Sequence, residues 1–509
     1  MSFRTPEELA EAAKSQFAKL PSPIASMKAK ERMAVPAQEM PTQPPLQRIR
    51  NFNEVALGYT DEQVRVESVR CLQCKTAPCV DGCPVRIRIP EFIKAAAEGD
   101  YAKSIGILKE SSVLPAVCGR VCPQESQCQA PCTLGKSLKN IEKAVSIGRI
   151  ERVVADWERE HGTPAAPVVK PDTGMKVAVV GSGPAGVTVA GDVRREGHSV
   201  TMFEAFHKPG GVLMYGIPEF RLPKNIVSTE IAALAAMGVE IKTDYVVGST
   251  RKLADLMEKD GFDAVFIGTG AGLPKFMEIE GENLVGVFTA NEYLTRVNLM
   301  KAYDPTSADT PVMKGRRVAV LGGGNVAMDA ARTAVRMGSD EVHIVYRRTQ
   351  AEMPARVEEV HHAQEEGVIF HNLQNARKII GDERGRVNAM ECLRYELGAP
   401  DKSGRPRPVE IKGSEFLMEV DMVIVAIGNE SNPLIKKTTP ALKTNEWGNI
   451  IADEHGATSI DGVYAGGDIV LGAATVILAM GQGRIAAKSI NERLAIKADE
   501  RRAAGIAKV

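Results

Sequence analysis

The sequence predicts an α/β chain in which a helical, cysteine-bearing domain precedes two parallel-sheet units built to hold dinucleotides. Three observations predict it. An apolar strand runs into a glycine-rich turn twice, at Lys176–Val180 before Gly181 and at Arg317–Leu321 before Gly322, 141 positions further on. Glycine is abundant (46) while aromatic residues make up 5% of the 509, a balance that suits α/β nucleotide domains rather than a β-sandwich. Eight of the nine cysteines fall between Cys71 and Cys132, ahead of both turns.

Composition removes several function classes. Lys+Arg and Asp+Glu both total 64, so no global basic excess points to nucleic acid. Met1 to Lys19 is charged and amphipathic without an apolar signal core. No stretch reaches the roughly 18 apolar residues of a membrane span. The expectation is a cytoplasmic protein without membrane insertion. In such a chain a local cysteine cluster more often binds metal than forms disulfides.

The chain divides by pattern. Residues 1–48 form an N-terminal extension that becomes proline-rich. Residues 49–157 are the helical cysteine domain, and 158–174 are a linker by composition. A discontinuous first nucleotide domain is expected over 175–305 and 418–495, with the second at 306–417 and a tail at 496–509. Two further strands end in glycine, Asp263–Gly268 and Asp421–Gly428. The simplest topology inserts the second unit into the first, the chain crossing out after Gly270 and returning near Gly428.

Gly181-Ser182-Gly183-Pro184-Ala185-Gly186 lies between a strand and a helical pattern. Such glycines permit a tight turn and close approach of the backbone to a pyrophosphate at a helix N-terminus, the mark of a Rossmann-like domain. Glu204 follows the next strand, 23 residues after Gly181, where a carboxylate accepts from a ribose diol. Near the C-terminus Gly466-Gly467-Asp468 aims a carboxylate at the ribityl chain of a flavin. Thr475 opens a helix whose N-terminal dipole favours an anionic reduced flavin. Gly211 and Gly270 are counted with this FAD set. The two-domain plan resembles the glutathione-reductase-like flavoproteins. Residues 204–224 contain no cysteine, so the thiol–disulfide chemistry of that superfamily's reductases is not expected.

In the second unit Gly322, Gly324 and Ala327 take the three fingerprint positions, with Asn325 between them as a candidate to position a nicotinamide. The following strand ends in Tyr346-Arg347-Arg348 with no acid for a free ribose diol. Arg347 and Arg348, with Arg356 as a third donor, suit the 2′-phosphate of NADP(H).

The cysteines form two runs, Cys71-x2-Cys74-x4-Cys79-x3-Cys83-Pro84 and Cys118, Cys122-Pro123, Cys128, Cys132. Two Cys-Pro junctions and four thiols per run favour two 4Fe–4S clusters over paired zinc sites. By count alone each run would ligate one cluster, Cys118 included.

Taken together, these motifs in this order resemble the glutamate synthase small-subunit family, whose module also forms the N-terminal half of dihydropyrimidine dehydrogenase. Cys118–Gln124 and Pro209–Lys224 look most like the large subunit of NADH-dependent reduced ferredoxin:NADP oxidoreductase, an electron-bifurcating enzyme; the homotetrameric NADPH glutamate synthases are closely similar. The resemblance implies interleaved ligands: Cys71, Cys74, Cys79 and Cys132 for one cluster, and Cys83, Cys122, Cys128 and Glu151 for the other, leaving Cys118 as a spare thiol. It also places Arg221 near the flavin ring, where with Thr475 it is a candidate catalytic residue. It implies an oligomer with a second redox subunit (a flavin/iron–sulfur small subunit or a glutamate synthase large subunit) or ferredoxin, with a sulfide dehydrogenase subunit as a further option. A cofactor-bearing scaffold is the non-enzyme alternative.

Overall fold

Alternate residues of the first glycine-loop strand enter different cores, and this sets the layering of the whole first unit. Val177 and Val179 pack with the Pro184–Arg195 and Val476–Ala503 helices, while Ala178 and Val180 pack on the opposite face with Val463 and Ile469. A parallel strand covered on both faces needs apolar residues at every position, and Lys176–Val180 supplies four in a row.

The computed structural model describes residues 3–21, 24–162, 168–401 and 404–503. Residues 163–167 of the expected linker and 504–509 of the expected tail lie outside the described residues. In chain order the strands are β1 (Lys176–Val180), β2 (Ser199–Phe203), β3 (Glu240–Lys242), β4 (Ala264–Ile267), β5 (Leu273–Pro274), β6 (Val287–Thr289), β7 (Arg317–Leu321) and β8 (Glu341–Tyr346). They continue as β9 (Ile369–Asn372), β10 (Gln374–Gly381), β11 (Val387–Pro400), β12 (Pro406–Glu410), β13 (Phe416–Glu419), β14 (Met422–Val425), β15 (Asn429–Glu430) and β16 (Val463–Ala465).

Two five-stranded sheets result, β16-β4-β1-β2-β3 and β6-β14-β7-β8-β9. Every pairing within them is parallel. The glycine-loop strand is central in each, so β7 stands to the second sheet as β1 does to the first. The second sheet differs on one face, where Ala319 and Leu321 pack against an antiparallel sheet of β10–β13. Its other face, through Val318 and Val320, packs against helices.

The sheets correct the expected domain limits. β6 and β14 both belong to the second sheet, although the pattern-based division assigned 287–289 and 422–425 to the first domain. A short strand ahead of a glycine has the same sequence signature in either sheet, and only pairing tells them apart. The two crossings run side by side as antiparallel β5 and β15, with the Lys275 amide bonded to the Gly428 carbonyl at 3.0 Å.

The regular elements of the first part of the chain are helices, apart from one bridge between Thr42 and Ala56. The Asp61–Val69 helix opens with a reciprocal cap between Thr60 and Gln63, and Ile89–Glu98 stops at Gly99 with φ +80°. The Pro115–Val121 helix crosses the Ile147–His161 helix closely enough that a Cβ on Gly119 would lie 2.6 Å from the Arg152 nitrogen. The N-terminal arm lies on this domain, with the Gln38 amide bonded to Glu67 at 2.8 Å. It then crosses to the second nucleotide unit, where the fully buried Arg48 ends its run. No described helix is long and apolar enough to cross a membrane.

Candidate redox site

The first glycine loop is closed by backbone contacts that leave no room for side chains. Gly181 sits at φ +100°, and a Cβ there would lie 2.5 Å from the Gly268 carbonyl oxygen. Gly211, at φ +55°, would bring a Cβ to 2.8 Å from the Gly183 Cα. Gly183 itself faces open space, and it caps the Pro184–Arg195 helix without a side-chain acceptor. Free amides at an uncapped helix N-terminus behind a side-chain-free loop fit a dinucleotide pyrophosphate.

Glu204 is buried beside this loop because β1 and β2 pair in register, Val180 opposite Phe203. Its Oε2 accepts from the Ser182 amide at 3.1 Å and its Oε1 from the Phe206 amide at 2.9 Å. Oε2 also accepts from the Ser182 hydroxyl, so Oε1 is the oxygen that keeps a lone pair for a further donor. Burial pushes the Asp468 carboxyl up to about 6, against the Ala474 amide, which lowers it. Burial pushes the phenol of Tyr215, at the end of the Val212–Tyr215 helix, up to about 12, and the charges of Asp468 and Glu204 add to the rise. Lys224 holds this segment in shape by donating to the carbonyls of Leu213 and Leu222, both at 3.0 Å. Gly270, at φ +70°, faces open space near the crossing strands. Sequence reasoning missed Tyr215, which carries no motif of its own.

The start of the Val476–Ala503 helix is where the first nucleotide unit meets the cysteine domain. Thr475 Oγ1 caps it by accepting from the Leu478 amide at 3.3 Å. The same oxygen accepts from Gln127 Nε2, beside Cys128, at 3.0 Å. One turn on, a Cβ at Gly481 would lie 3.0 Å from the carbonyl oxygen of Pro84, beside Cys83. Cys118 Sγ lies 3.6 Å from Met480 Sδ. Both cysteine runs therefore touch the first two turns of one helix.

The expected metal-binding side chains of both runs bear on one another's charge, with Cys79 also among the neighbours of Cys128. Burial pushes the Cys71 thiol up to about 11, with Cys132 and Cys74 adding to it, and Cys79 up to about 12, with Cys71, Cys132 and Cys74 adding. Burial likewise raises Cys83 to about 11, with Glu151 and Cys122 as its charged neighbours. Cys128 is raised by burial and then by Cys122, Cys83 and Glu151. Glu151 is 6% exposed and its Oε1 has no hydrogen-bond partner. A buried carboxylate oxygen without a donor is costly unless something else satisfies it, so soft thiolates beside it fit an iron–sulfur group. Among the described residues, no three His, Cys, Asp or Glu close in tightly enough to hold a single ion.

The second loop repeats the first. Gly322 has φ +145°, and a Cβ there would lie 2.4 Å from the Ala426 carbonyl oxygen. Gly324 caps the Asn325–Arg336 helix without a side-chain acceptor, and Ala327 is fully buried against the sheet. Arg347 is exposed at the end of β8.

Four of the expected site residues have protein partners of their own. Arg348 is buried and donates to the Pro406 carbonyl at 2.8 Å and to Asp401 at 3.1 Å, because β12 folds back over the end of β8. Arg356 is turned toward the cysteine domain, reaching Gln124 at 3.1 Å and Glu125 at 3.2 Å. Asn325 Oδ1 accepts from the Arg356 amide at 2.9 Å, a turn-closing role. Arg221 spends its guanidinium on the second unit, binding both Asp329 oxygens at 2.8 Å and Glu359 at 3.1 Å, because the chain at Phe220–Leu222 passes beneath the Asn325–Arg336 helix. Sequence reasoning missed Arg405, whose Nη2 donates to Tyr346 Oη at 2.9 Å and to the Glu352 carbonyl at 2.7 Å. It comes from the far side of the β11–β12 turn, so no local signal marks it.

Comparison with known proteins agrees with this geometry. Residues 48–163 match the family described as dihydropyrimidine dehydrogenase domain II, 4Fe-4S cluster, and residues 175–483 match pyridine nucleotide-disulphide oxidoreductase. The NADP(+)-dependent formate dehydrogenase subunit beta of Moorella thermoacetica is 39% identical over 82% of this chain, which spans 60% of that subunit's length. The NADPH glutamate synthase small chain of Azospirillum brasilense is 35% identical, over 91% of this chain and 96% of its own. The solved structure of Mycobacterium tuberculosis FprA in complex with NADPH shares the fold, with TM-score 0.53 and 21% identity over 67% of this chain and 87% of that one. With cysteine domain, flavin-type loop and second nucleotide loop in one continuous match, the chain belongs to the glutamate synthase small-chain-like family of NADPH-dependent FAD/iron–sulfur oxidoreductases.

Proposed function

We propose that this chain takes hydride from NADPH at a flavin and relays the electrons singly through two 4Fe–4S clusters to a partner subunit. The observation that supports the reading is the shared helix start: Thr475 opens the helix expected to meet the flavin, and Gln127, Pro84 and Cys118 reach its first two turns from the cysteine domain. FAD, when bound, supplies the junction between two-electron hydride chemistry and one-electron carriers.

The residues have defined tasks. Gly181–Gly186 and the helix amides behind them hold the FAD pyrophosphate, Glu204 the ribose and Asp468 the ribityl chain. Gly322–Ala327 hold the pyrophosphate of NADPH. Arg347, with Arg405 behind Tyr346, binds the 2′-phosphate in place of Arg348 and Arg356. Cys71, Cys74, Cys79 and Cys132 hold one cluster; Cys83, Cys122, Cys128 and Glu151 hold the other. Catalysis at the hydride step is proximity and orientation, so no acid–base pair is needed.

As to the partner, the Cys118–Gln124 and Pro209–Lys224 segments support the large subunit of an electron-bifurcating NADH-dependent ferredoxin:NADP oxidoreductase. The second reading is a glutamate synthase small chain, favoured by the 96% coverage of such a relative. Ferredoxin reduction by the purified native complex separates the first from glutamine-dependent glutamate formation in the second.

Anaerobic titration of the holoprotein tests the relay. NADPH should bleach the flavin and then give iron–sulfur EPR signals, with about eight irons per chain; NADH should do so far less well. Arg347→Ala should raise the KM for NADPH about 10- to 100-fold, the cost of a lost charge-assisted contact of roughly 1.5–3 kcal/mol, with little change for NADH. A protein that neither nucleotide reduces would sink the proposal.

A further inference from the structure

The second nucleotide unit joins the first through a narrow ribbon. Its two crossings pair as β5 and β15, two residues each. They are flanked by Gly270 at φ +70° and Gly428 at φ +110°, both facing open space. A short two-stranded ribbon bounded by glycines fixes the distance between two bodies far better than the angle between them. Hydride transfer needs that angle fixed, because the nicotinamide must lie in register with the flavin.

Arg356 bridges the second nucleotide loop and the cysteine domain. Its main chain is tied to the loop: its amide donates to Asn325 Oδ1 at 2.9 Å, and the neighbouring Ala355 amide to the Gly323 carbonyl at 3.2 Å. Its buried side chain is spent on the other domain, donating to Gln124 Oε1 at 3.1 Å, Glu125 Oε1 at 3.2 Å and the Arg120 carbonyl at 3.3 Å. Gln124 has little room to move, since a Cβ on Gly148 would lie 2.1 Å from its Nε2. Two residues beyond Arg356, Glu358 extends the joint by pairing with Arg149 of the cysteine domain at 3.3 Å. From the first unit Arg221 reaches Asp329 and Glu359, one turn further along the same two helices. At the loop end of those helices the contacts come from the cysteine domain.

We propose that Arg356 is a positioning residue: braced on the cysteine domain, it holds the second nucleotide loop at the angle from which NADPH gives hydride to the flavin. The cysteine domain then has two tasks, carrying electrons away and bracing the unit that delivers them. A planar five-donor fork suits the brace because it fixes direction as well as distance, whereas a lysine ammonium is a point charge on a flexible stem. This inference rests on the hydride reading proposed above.

Stopped-flow flavin reduction in the full-length holoprotein tests it, with the dissociation constant of 2′-phospho-ADP-ribose as a separate readout. That probe keeps the pyrophosphate and the 2′-phosphate but has no nicotinamide to align. In Arg356→Gln the rate constant at saturating NADPH should fall about tenfold, as expected for a small misplacement of the reacting groups, while probe binding stays unchanged. Arg356→Lys should recover part of the loss. Glu125→Gln, a change at a partly exposed side chain wholly within the cysteine domain, should lower the same rate constant and leave probe binding alone. An unchanged rate constant in Arg356→Gln or, should that variant not fold, in Glu125→Gln would overturn the proposal. So would a probe affinity that falls as far as the rate, since Arg356 would then serve nucleotide binding rather than alignment. An unmodified protein that NADPH does not reduce would fail earlier and differently, at the hydride reading itself.

Discussion

Glu366→Gln should destabilise the protein by about 3–5 kcal/mol, the cost of leaving buried charge without its partner. Glu366 is the acceptor for three guanidiniums that water does not reach: Arg48 at 2.7 Å, Arg332 at 2.8 Å and Arg336 at 2.6 Å. The ring of Phe220 lies 3.9 Å from the Arg336 guanidinium and 4.8 Å from that of Arg332. Arg48 comes from the N-terminal arm, Phe220 and Arg221 from the first nucleotide unit, and the other residues from the second. A glutamine keeps the volume but loses the charge and replaces one acceptor oxygen by a donor. The loss should appear as a lower denaturant midpoint. A change under 1 kcal/mol would mean that the network contributes little beyond packing.

The same network sets how the protein responds to acid. Burial alone would raise the Glu358 carboxyl, but Arg149 and Arg356 more than offset it and bring it to about 2. Glu359 and Glu366 are also held below the usual range, against burial, by Arg221 and Arg332 and by Arg332 and Arg336 respectively. Their folded values lie below the unfolded value of about 4.3. The stability they contribute is therefore complete above that pH and lost as pH falls toward 2. His362 is lowered to about 4 by burial and then by Arg332, so its share starts to fall near pH 6.5 and is gone by about 4. Asp329, pushed up to about 6 by burial despite Arg221, works the other way over much the same range. The midpoint should change little between pH 7 and about 4 and then drop steeply; a flat profile down to pH 3 would contradict this.

Glu151→Ala should cost one cluster, taking the iron content from about eight to about four per chain. The carboxyl is buried, an oxygen is unpaired, and its environment pushes it well above the carboxylate range, first by burial and then by Cys122 and Glu230. Among the described residues no donor reaches its Oε1, an oxygen that cluster iron would satisfy under the proposed ligand set. Iron analysis with EPR of the remaining cluster checks this. Full iron content in the variant would remove Glu151 from the ligand set.

The two nucleotide loops and the cysteine domain are legible in the residues, because each is local. A parallel strand, a turn at positive φ and a helix start all lie within about a dozen residues. At Gly181 and Gly322 the backbone demands glycine whatever the rest of the chain does. The Cys-Pro runs and the absence of an acid after β8 are likewise visible without a fold. Tertiary structure alone decided where the long side chains are spent. Arg221, Arg348 and Arg356 each stand near a motif, yet they reach Asp329, Asp401 and Glu125, which lie 108, 53 and 231 positions away. The same holds for Tyr215 beside Asp468, Arg405 over Tyr346 and Gln127 on Thr475. A guanidinium or amide reaches whichever acceptor the packing buries next to it, and that choice depends on how strands pair and helices cross, which local pattern does not encode.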